Sequence, residues 1–170
     1  MDIPQQRAEH YGPAAAPCAF ERGTDGPRVI MVGVDGSPPS ERAAAYAAGL
    51  ARRQRSRLAV VFVGESAGLV AAVYGQAAVA ALETAEELAG ELREQVRRAA
   101  EEMGLPVSMG LPVSFVVRRG DPYAELRATA DELKADMLVV GASAQAGHRF
   151  VGSVATRLVK QGRWPVVVVP

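Results

Sequence analysis

The sequence contains few of the residues that disulfide frameworks and most metal sites require. Its 170 residues include one cysteine, Cys18, and two histidines, His10 and His148. A single cysteine excludes an intramolecular disulfide and any metal site with several cysteine ligands. Two histidines also supply a zinc centre poorly. We therefore expect no metal site, and Cys18, which lies in the N-terminal segment, is expected to be incidental.

A net charge is also absent, since 19 Lys and Arg residues balance 19 Asp and Glu residues. A general nucleic-acid or membrane-surface binder needs a net basic field, so neutrality argues against both classes of partner. The charges are nevertheless segregated along the chain. Acidic residues are dense in 83–102, and none follows Asp136, whereas four basic residues do. This placement favours a small anionic ligand near the C-terminal quarter.

Long apolar segments are missing as well. Residues 1–27 are rich in Pro, Gly and Ala, and they lack the apolar core of a secretory signal, so we expect a flexible tail. The uncharged stretch from Ser66 to Leu82 is shorter than the roughly 20 residues that a membrane span requires. We interpret it as a loop that leads into a helix. The sequence predicts a cytoplasmic protein with one domain over residues 28–170.

Short apolar runs alternate with helical patterns from Arg28 onwards. Strands, each apolar enough to be buried on both faces, are predicted at Val29–Val34, Leu58–Val63, Val113–Arg118, Met137–Val140 and Val166–Val169. Helices are predicted at Ala43–Arg53, Leu82–Met103, Pro122–Leu133 and Val154–Gln161. Because strands that alternate with helices pair in parallel through right-handed crossovers, we expect an α/β fold: a three-layer, doubly wound, five-stranded parallel sheet.

The loop after the fourth predicted strand is the strongest local signal for a ligand. Ligands in doubly wound sheets lie beyond the carboxyl ends of the strands, where the strand order reverses. Glycines in this loop permit close approach to an anion, and a helix starts at its end with free N–H groups. The residues that carry these features are Gly141, Ser143, Gly147, His148, Arg149, Gly152, Ser153 and Val154. The alternative is that the glycines simply turn the chain.

Asp35 follows the first predicted strand and has two possible roles. It is able to contact a ligand, or it shapes the turn before the next helix. No Ser-His-Asp order, Cys-His pair or paired carboxylates occur at matched strand ends. Catalysis is therefore weakly supported.

Several motifs resemble those of the universal stress protein family. They are Val32–Ser37, Gly120–Pro122, Val139–Ser143, Gly152–Leu158 and Arg163–Val169, and in this order they cover residues 28–170. The Gly147-His148-Arg149 version of the last loop resembles actinobacterial members. The resemblance implies a role in stress response, a strand order of 3-2-1-4-5 and an adenine-nucleotide alpha-hydrolase-like fold.

The resemblance also implies a nucleotide, since some members of the family bind ATP. Carried over by residue, the contacts are Asp35, Val63, Gly141, Gly152, Ser153 and Val154, with Mg²⁺ present if a triphosphate is bound. Two departures occur in the last loop: Ala144 replaces a glycine, and seven residues instead of nine separate it from Gly152. Two alternatives stay open, namely a nucleotide-free interaction module and a slow ATPase with Asp35 as its metal-binding group.

The last predicted strand, Val166–Val169, suggests a partner. It is short and apolar, and the implied strand order puts it at a sheet edge, where an uncovered strand invites pairing. Members of the family dimerise by pairing this strand with its symmetry mate, so the resemblance implies a homodimer. The alternative is that Trp164 and the N-terminal tail cover the edge. A further, unidentified protein partner is also possible.

Overall fold

Five strands and four helices alternate along the part of the chain that the structure describes. The computed structural model describes residues 26–64, 76–102, 112–143 and 152–170. The strands are β1 (Val29–Val34), β2 (Arg57–Gly64), β3 (Val113–Arg119), β4 (Met137–Gly141) and β5 (Val166–Val169). The helices are α1 (Pro38–Gln54), α2 (Gln76–Glu102), α3 (Pro122–Leu133) and α4 (Ser153–Gln161).

The strands form one parallel sheet in the order β3-β2-β1-β4-β5. This order confirms the predicted doubly wound fold. The chain winds outward from β1 through β2 to β3, then crosses back to β4 and continues to β5. The strand order therefore reverses between β1 and β4, and a crevice at their carboxyl ends is the expected ligand position.

Both faces of the three central strands β1, β2 and β4 are buried, as predicted, but the prediction is wrong for the edge strand β3, in which Val117 and Arg119 are exposed. Alternate residues of each strand point to opposite faces, which divides the core into two clusters. The cluster beneath α1 and α2 comprises Ile30, Val32, Val34, Ala43, Ala47, Ala51, Leu58, Val60, Phe62, Ala89, Leu92 and Val139. The cluster beneath α3 and α4 comprises Val29, Met31, Ala59, Val61, Leu126, Ala130, Ala135, Leu138, Val140, Ala155 and Leu158.

The helix α1 packs unusually close to the sheet. Its buried residues Ala43, Ala47 and Ala51 recur every fourth position and have no exposed surface. Since alanine has only a methyl side chain, the backbone of α1 lies near β1 and β4. This short distance brings the start of α1 to the carboxyl end of β4.

The predicted start of α1 was wrong by five residues. The helix begins at Pro38 and not at Ala43, because proline is well accommodated at the first helical position. Ser37 is the N-cap, and its side chain accepts a hydrogen bond from the Ser40 N–H at 3.4 Å. The two prolines, which suggested a turn, belong to the first turn of the helix.

The predicted bounds of α2 and α4 also need correction. The helix α2 begins at Gln76, within the uncharged stretch for which the sequence predicts a loop. The helix α4 begins at Ser153, one residue earlier than predicted. Residues 76–81 carry no charged face, so a periodicity of apolar and polar residues was not visible there. In the predicted helix, apolar residues recur every three or four positions, and Ala99 is one of them. The structure shows that Ala99 is exposed. Within the described ranges, no helix is long and apolar enough to cross a membrane.

Gly141 lies so close to the backbone of α1 that we expect its substitution to destabilise the protein. A Cβ added at Gly141 would lie 2.7 Å from the Pro39 carbonyl carbon and the Ser40 nitrogen, whereas one at Gly90 in α2 would meet nothing within 4 Å. We expect Gly141→Ala to lower the free energy of unfolding by about 1–3 kcal/mol, because the backbone of α1 must move. The matched change Gly90→Ala should raise it by roughly 0.5–1 kcal/mol. Urea unfolding measures both values, and equal stability of Gly141→Ala and the wild type would contradict the close packing.

Candidate functional site

The turn after β1 is held by the side chain of Asp35. This residue is exposed, and its Oδ1 accepts a hydrogen bond from the Ser37 N–H at 2.9 Å. Gly36, between them, has a φ of +80°, which glycine adopts without strain. The turn therefore presents a carboxylate at a fixed position directly beyond the carboxyl end of β1.

Ser40 supports this turn from below. Its hydroxyl is buried, donates to the Ser37 carbonyl oxygen at 2.9 Å and accepts from the Asp35 N–H at 3.2 Å. Ser40 is not among the site residues that the sequence predicts, because its two hydrogen bonds depend on the conformation of the turn.

The same contacts affect the ionisation of Asp35. Partial burial acts to raise the pKa of its carboxyl group, but hydrogen bonds from Ser37 and Ser40 outweigh burial and hold the pKa below the ordinary value of 3.8. The hydrogen bonds favour the charged form because they are stronger to a carboxylate than to a neutral acid. Asp35 is therefore an anion at neutral pH, and its carboxylate is able to accept further hydrogen bonds.

The carboxyl end of β4 lies against the first turn of α1. Gly141 has room for only a hydrogen atom on the side of Pro39 and Ser40, so the last residue of β4 is in direct contact with the first turn of α1. The next residue, Ala142, donates its N–H to the Val169 carbonyl oxygen at 2.7 Å. The end of β4 is thus fixed on both sides, by α1 and by β5.

The two ends of the last loop meet at Ser143 and Gly152. A Cβ added at Gly152 would lie 3.2 Å from the Ser143 Cβ. Three predicted site residues, Gly147, His148 and Arg149, lie outside the described residues. The described part of the structure therefore fixes both ends of this loop beside β4.

The start of α4 differs from the starts of α1 and α3. The helices α1 and α3 have Ser37 and Asp121 as side-chain caps and a proline at the first position. In α4 the N-cap is Gly152, which provides no side-chain hydrogen bond, and the first position is Ser153. Since the first N–H groups of a helix have no intrahelical partner, the first backbone donors of α4 lie next to Ser143 without an acceptor in the helix itself. These donors, with the positive end of the helix dipole, suit an anion.

Val63 reaches the site through its backbone. Val34 pairs with Phe62, so Val63 is one residue further along, level with Asp35. Its side chain packs partly buried against the cluster beneath α3 and α4. The structure therefore brings together, at one end of the sheet, the described members of the predicted set: Asp35, Val63, Gly141, Ser143, Gly152, Ser153 and Val154.

Within the described ranges, no group of three His, Cys, Asp or Glu residues is arranged to hold a metal ion. Among the predicted site residues, Asp35 is the one carboxylate. The described donors are thus mainly backbone N–H groups, which suit an anion better than a cation.

The family comparison agrees with this arrangement. The model of the universal stress protein family matches residues 27–170. The chain belongs to the universal stress protein family. The five-stranded parallel sheet of this family member has the adenine-nucleotide alpha-hydrolase-like fold that the motifs implied.

Three relatives illustrate the likeness. A universal stress protein of Methanocaldococcus jannaschii is 28% identical over 142 residues, which cover 82% of this chain and 80% of that protein. A universal stress protein solved in complex with cAMP is 25% identical, with a TM-score of 0.52 over 84% of this chain and 96% of that chain. An Arabidopsis thaliana family member solved with AMP bound is 19% identical, with a TM-score of 0.59 over 84% of this chain and 91% of that chain. The actinobacterial resemblance of Gly147-His148-Arg149 stays a prediction.

The depressed pKa of Asp35 predicts a small, pH-dependent contribution to stability. Asp35→Asn keeps an oxygen for the Ser37 N–H but removes the charge, so we expect a loss of a few tenths of a kcal/mol at pH 7, because the carboxylate is exposed. A depressed folded pKa stabilises above the unfolded value near 3.8, and this stabilisation disappears as the pH falls through the folded pKa. Urea unfolding of both proteins from pH 7 to pH 2.5 measures the difference. A difference that grows as the pH falls would contradict the assigned direction.

Proposed function

We propose that this universal stress protein binds an adenine nucleotide at the carboxyl ends of β1 and β4 and acts as a stress-response regulator. The observation that carries the proposal is the uncapped start of α4, which lies beside Ser143 at the end of β4. Two further observations support it: the exposed carboxylate of Asp35 at the same end of the sheet, and the relatives with cAMP and AMP bound.

The phosphate would bind at the start of α4. The N–H groups of Ser153 and Val154 belong to the first turn, where no carbonyl of the helix accepts them. Gly152 has no side chain, so an oxygen atom of the ligand is able to approach the backbone closely. Backbone donors and the helix dipole together favour a phosphate group.

The nucleoside would bind near Asp35 and Val63. In dinucleotide-binding doubly wound folds, an acidic side chain about 20 residues after the first turn accepts hydrogen bonds from ribose hydroxyl groups, and we expect the carboxylate of Asp35 to make the same kind of contact from the first turn itself. Ser37 and Ser40 hold the carboxylate charged and in position, so it requires little reorganisation when the ligand binds. The backbone of Val63, at the end of β2, would supply a polar contact on the other side.

A monophosphate is the first ligand to test. AMP and cAMP, which the two solved relatives contain, each have one phosphate group. The loop of this chain is two residues shorter than the ATP-binding pattern and has Ala144 in place of a glycine. ATP with Mg²⁺, which the family resemblance implies, is the second ligand. A nucleotide-free interaction module is the second candidate function. The shorter loop and the replacement of a glycine by Ala144 favour this module over ATP binding.

Replacement of the first residue of α4 tests the phosphate contact. Ser153→Pro removes one backbone N–H, yet proline at this position is favourable, as Pro38 and Pro122 show in α1 and α3. Gly152, with φ −56° and ψ 162°, already has the conformation that a residue before proline requires. The control Ser153→Ala removes the hydroxyl group and keeps the N–H.

Thermal unfolding with AMP, cAMP and Mg²⁺–ATP gives the readout. A ligand at one hundred times its Kd adds about 2.7 kcal/mol of stability, which raises Tm by roughly 5–10 °C in a domain of this size. We expect this shift in the wild type and a smaller or equal shift in Ser153→Ala. In Ser153→Pro we expect about tenfold weaker binding, because a backbone hydrogen bond to the charged phosphate is lost. No shift with any of the three nucleotides would favour the nucleotide-free module. Phosphate release in both the wild type and Asp35→Asn would contradict a slow ATPase that uses Asp35.

We also propose a homodimer that pairs β5 with its symmetry mate. The strand is at the edge of the sheet, and its four valines are half-buried between the helices on both faces. The Pro165 and Val169 carbonyl oxygens accept hydrogen bonds from β4, so the odd-numbered residues bond inward. The N–H and C=O groups of Val166 and Val168 therefore point to the open edge, where a second strand is able to pair.

Two proline variants of β5 separate pairing from folding. Val168→Pro removes an outward N–H, which an edge strand tolerates, and we expect a folded monomer. Val167→Pro removes an inward N–H bonded to β4, and we expect a loss of stability of about 3 kcal/mol or more. Sedimentation equilibrium measures the mass, and urea unfolding measures the stability. A folded Val168→Pro protein that is still dimeric would contradict pairing through β5.

A further inference from the structure

A group of basic residues lies at the end of the sheet opposite the candidate nucleotide site. Arg28 precedes β1 and Arg57 begins β2, and they are adjacent because the Arg57 N–H donates to the Arg28 carbonyl oxygen at 2.8 Å. The buried Ser56 hydroxyl donates to the Pro27 carbonyl oxygen at 2.5 Å and ties the two segments together. Both arginine side chains are exposed on this fixed backbone.

Two helices on opposite faces of the sheet finish at this same end of the sheet, each on a basic residue in a left-handed conformation. Arg55 after α1 has a φ of +55° and Lys134 after α3 has a φ of +52°, and these are the two non-glycine residues with positive φ in the described ranges. Glycine adopts this conformation without strain and usually occupies the position, as Gly162 does after α4. The chain therefore keeps a long cationic side chain at two positions where glycine would be more favourable.

We name the set Arg28, Arg52, Arg55, Arg57 and Lys134 the basic pole. All five side chains are exposed, and none has a carboxylate partner within 4.0 Å among the residues that the structure describes.

Nearby carboxylates have other partners. Asp136 accepts the backbone N–H groups of Arg28 and Val29, at 2.8 and 2.9 Å, through one oxygen. Asp131 pairs with Arg163 at 2.8 Å. The positive charge of the basic pole is therefore not balanced by ion pairs within the described part of the chain.

The helix dipole favours the positive charge of Arg52, but it does not explain the additional positive charge of Arg55. A cation near the end of a helix gains from the dipole, but α1 already has Arg52 and Arg53 in its last turn, where the backbone is unstrained. The additional charge at Arg55 requires the left-handed conformation. A structural role alone therefore favours glycine at this position.

We propose that the basic pole binds an acidic segment of a partner protein, in which several Asp or Glu side chains occur close together. Four of its five members are arginines, whose planar guanidinium groups pair with carboxylates through two hydrogen bonds. A long nucleic acid or a flat anionic membrane would extend beyond the pole to the end of α2, where Glu101 and Glu102 are exposed and repel it. A short acidic segment contacts the pole without reaching these residues.

A labelled peptide of ten glutamates tests the proposal with the full-length chain. We expect saturable binding in fluorescence anisotropy at low salt, with a loss of affinity as the ionic strength rises. Arg55→Gly with Lys134→Gly removes two charges and relieves two strained positions, so the protein should stay folded with an unchanged or higher Tm. We expect this double variant to bind the peptide about tenfold or more weakly.

The control is Arg93→Gln with Arg127→Gln, which changes the net charge equally at exposed positions on α2 and α3. When both double variants are compared at about 0.15 M salt, where the Debye length is about 8 Å, the affinity of this control should stay within about twofold of the wild type, since more distant charges are largely screened. No binding to the wild type, or an equal loss in both double variants, would overturn the proposal. Tighter binding of a single-stranded DNA decamer or of phosphatidylserine vesicles than of the peptide would also overturn it. If the glycine variant has a lower Tm, Arg55→Gln with Lys134→Gln gives the same comparison.

Discussion

The contact between the backbone of Gly141 and the first turn of α1 is the constraint on which the candidate site depends. The atoms of Pro39 and Ser40 leave no room for a Cβ at Gly141. This approach is possible because three small alanines let α1 lie close to the sheet. It joins the turn that presents Asp35 to the strand that leads to the start of α4. The carboxylate and the uncapped helix therefore share one rigid support, although they are more than 100 residues apart in the sequence.

Much of the fold was predictable because its signals are local. The central strands are mainly apolar runs, and the alternation of strands with helices favours a parallel, doubly wound sheet. The bounds were harder where local signals conflict or are missing. Pro38 and Pro39 suggested a turn but begin α1, and residues 76–81 have no charged face that would mark the start of α2.

The candidate site was predictable in its members but not in its geometry. A turn after a buried strand and a Gly-Ser start of a helix are visible in the sequence, and so is the family pattern that joins them. The buried hydroxyl of Ser40 and the close packing of Gly141 depend on contacts between distant segments, which no local pattern encodes. The same holds for the left-handed conformations of Arg55 and Lys134, since a single sequence does not reveal backbone angles. The two ends of the sheet thus have separate chemistry: the first backbone N–H groups of α4 lie at one end, and basic residues that lack a carboxylate partner among the described residues lie at the other.

The most direct test of nucleotide binding is a titration of the ¹⁵N-labelled protein with AMP, followed by the amide signals of the backbone. We predict that the amide signals of Ser153, Val154 and the Asp35–Ser40 turn shift most and reach saturation, because their N–H groups lie at the proposed phosphate and nucleoside positions. Signals of Arg55 and Arg57, at the other end of the sheet, should stay unchanged. If no amide signal shifts to saturation, or if the shifts are confined to the basic pole, the result would contradict nucleotide binding at the carboxyl ends of β1 and β4.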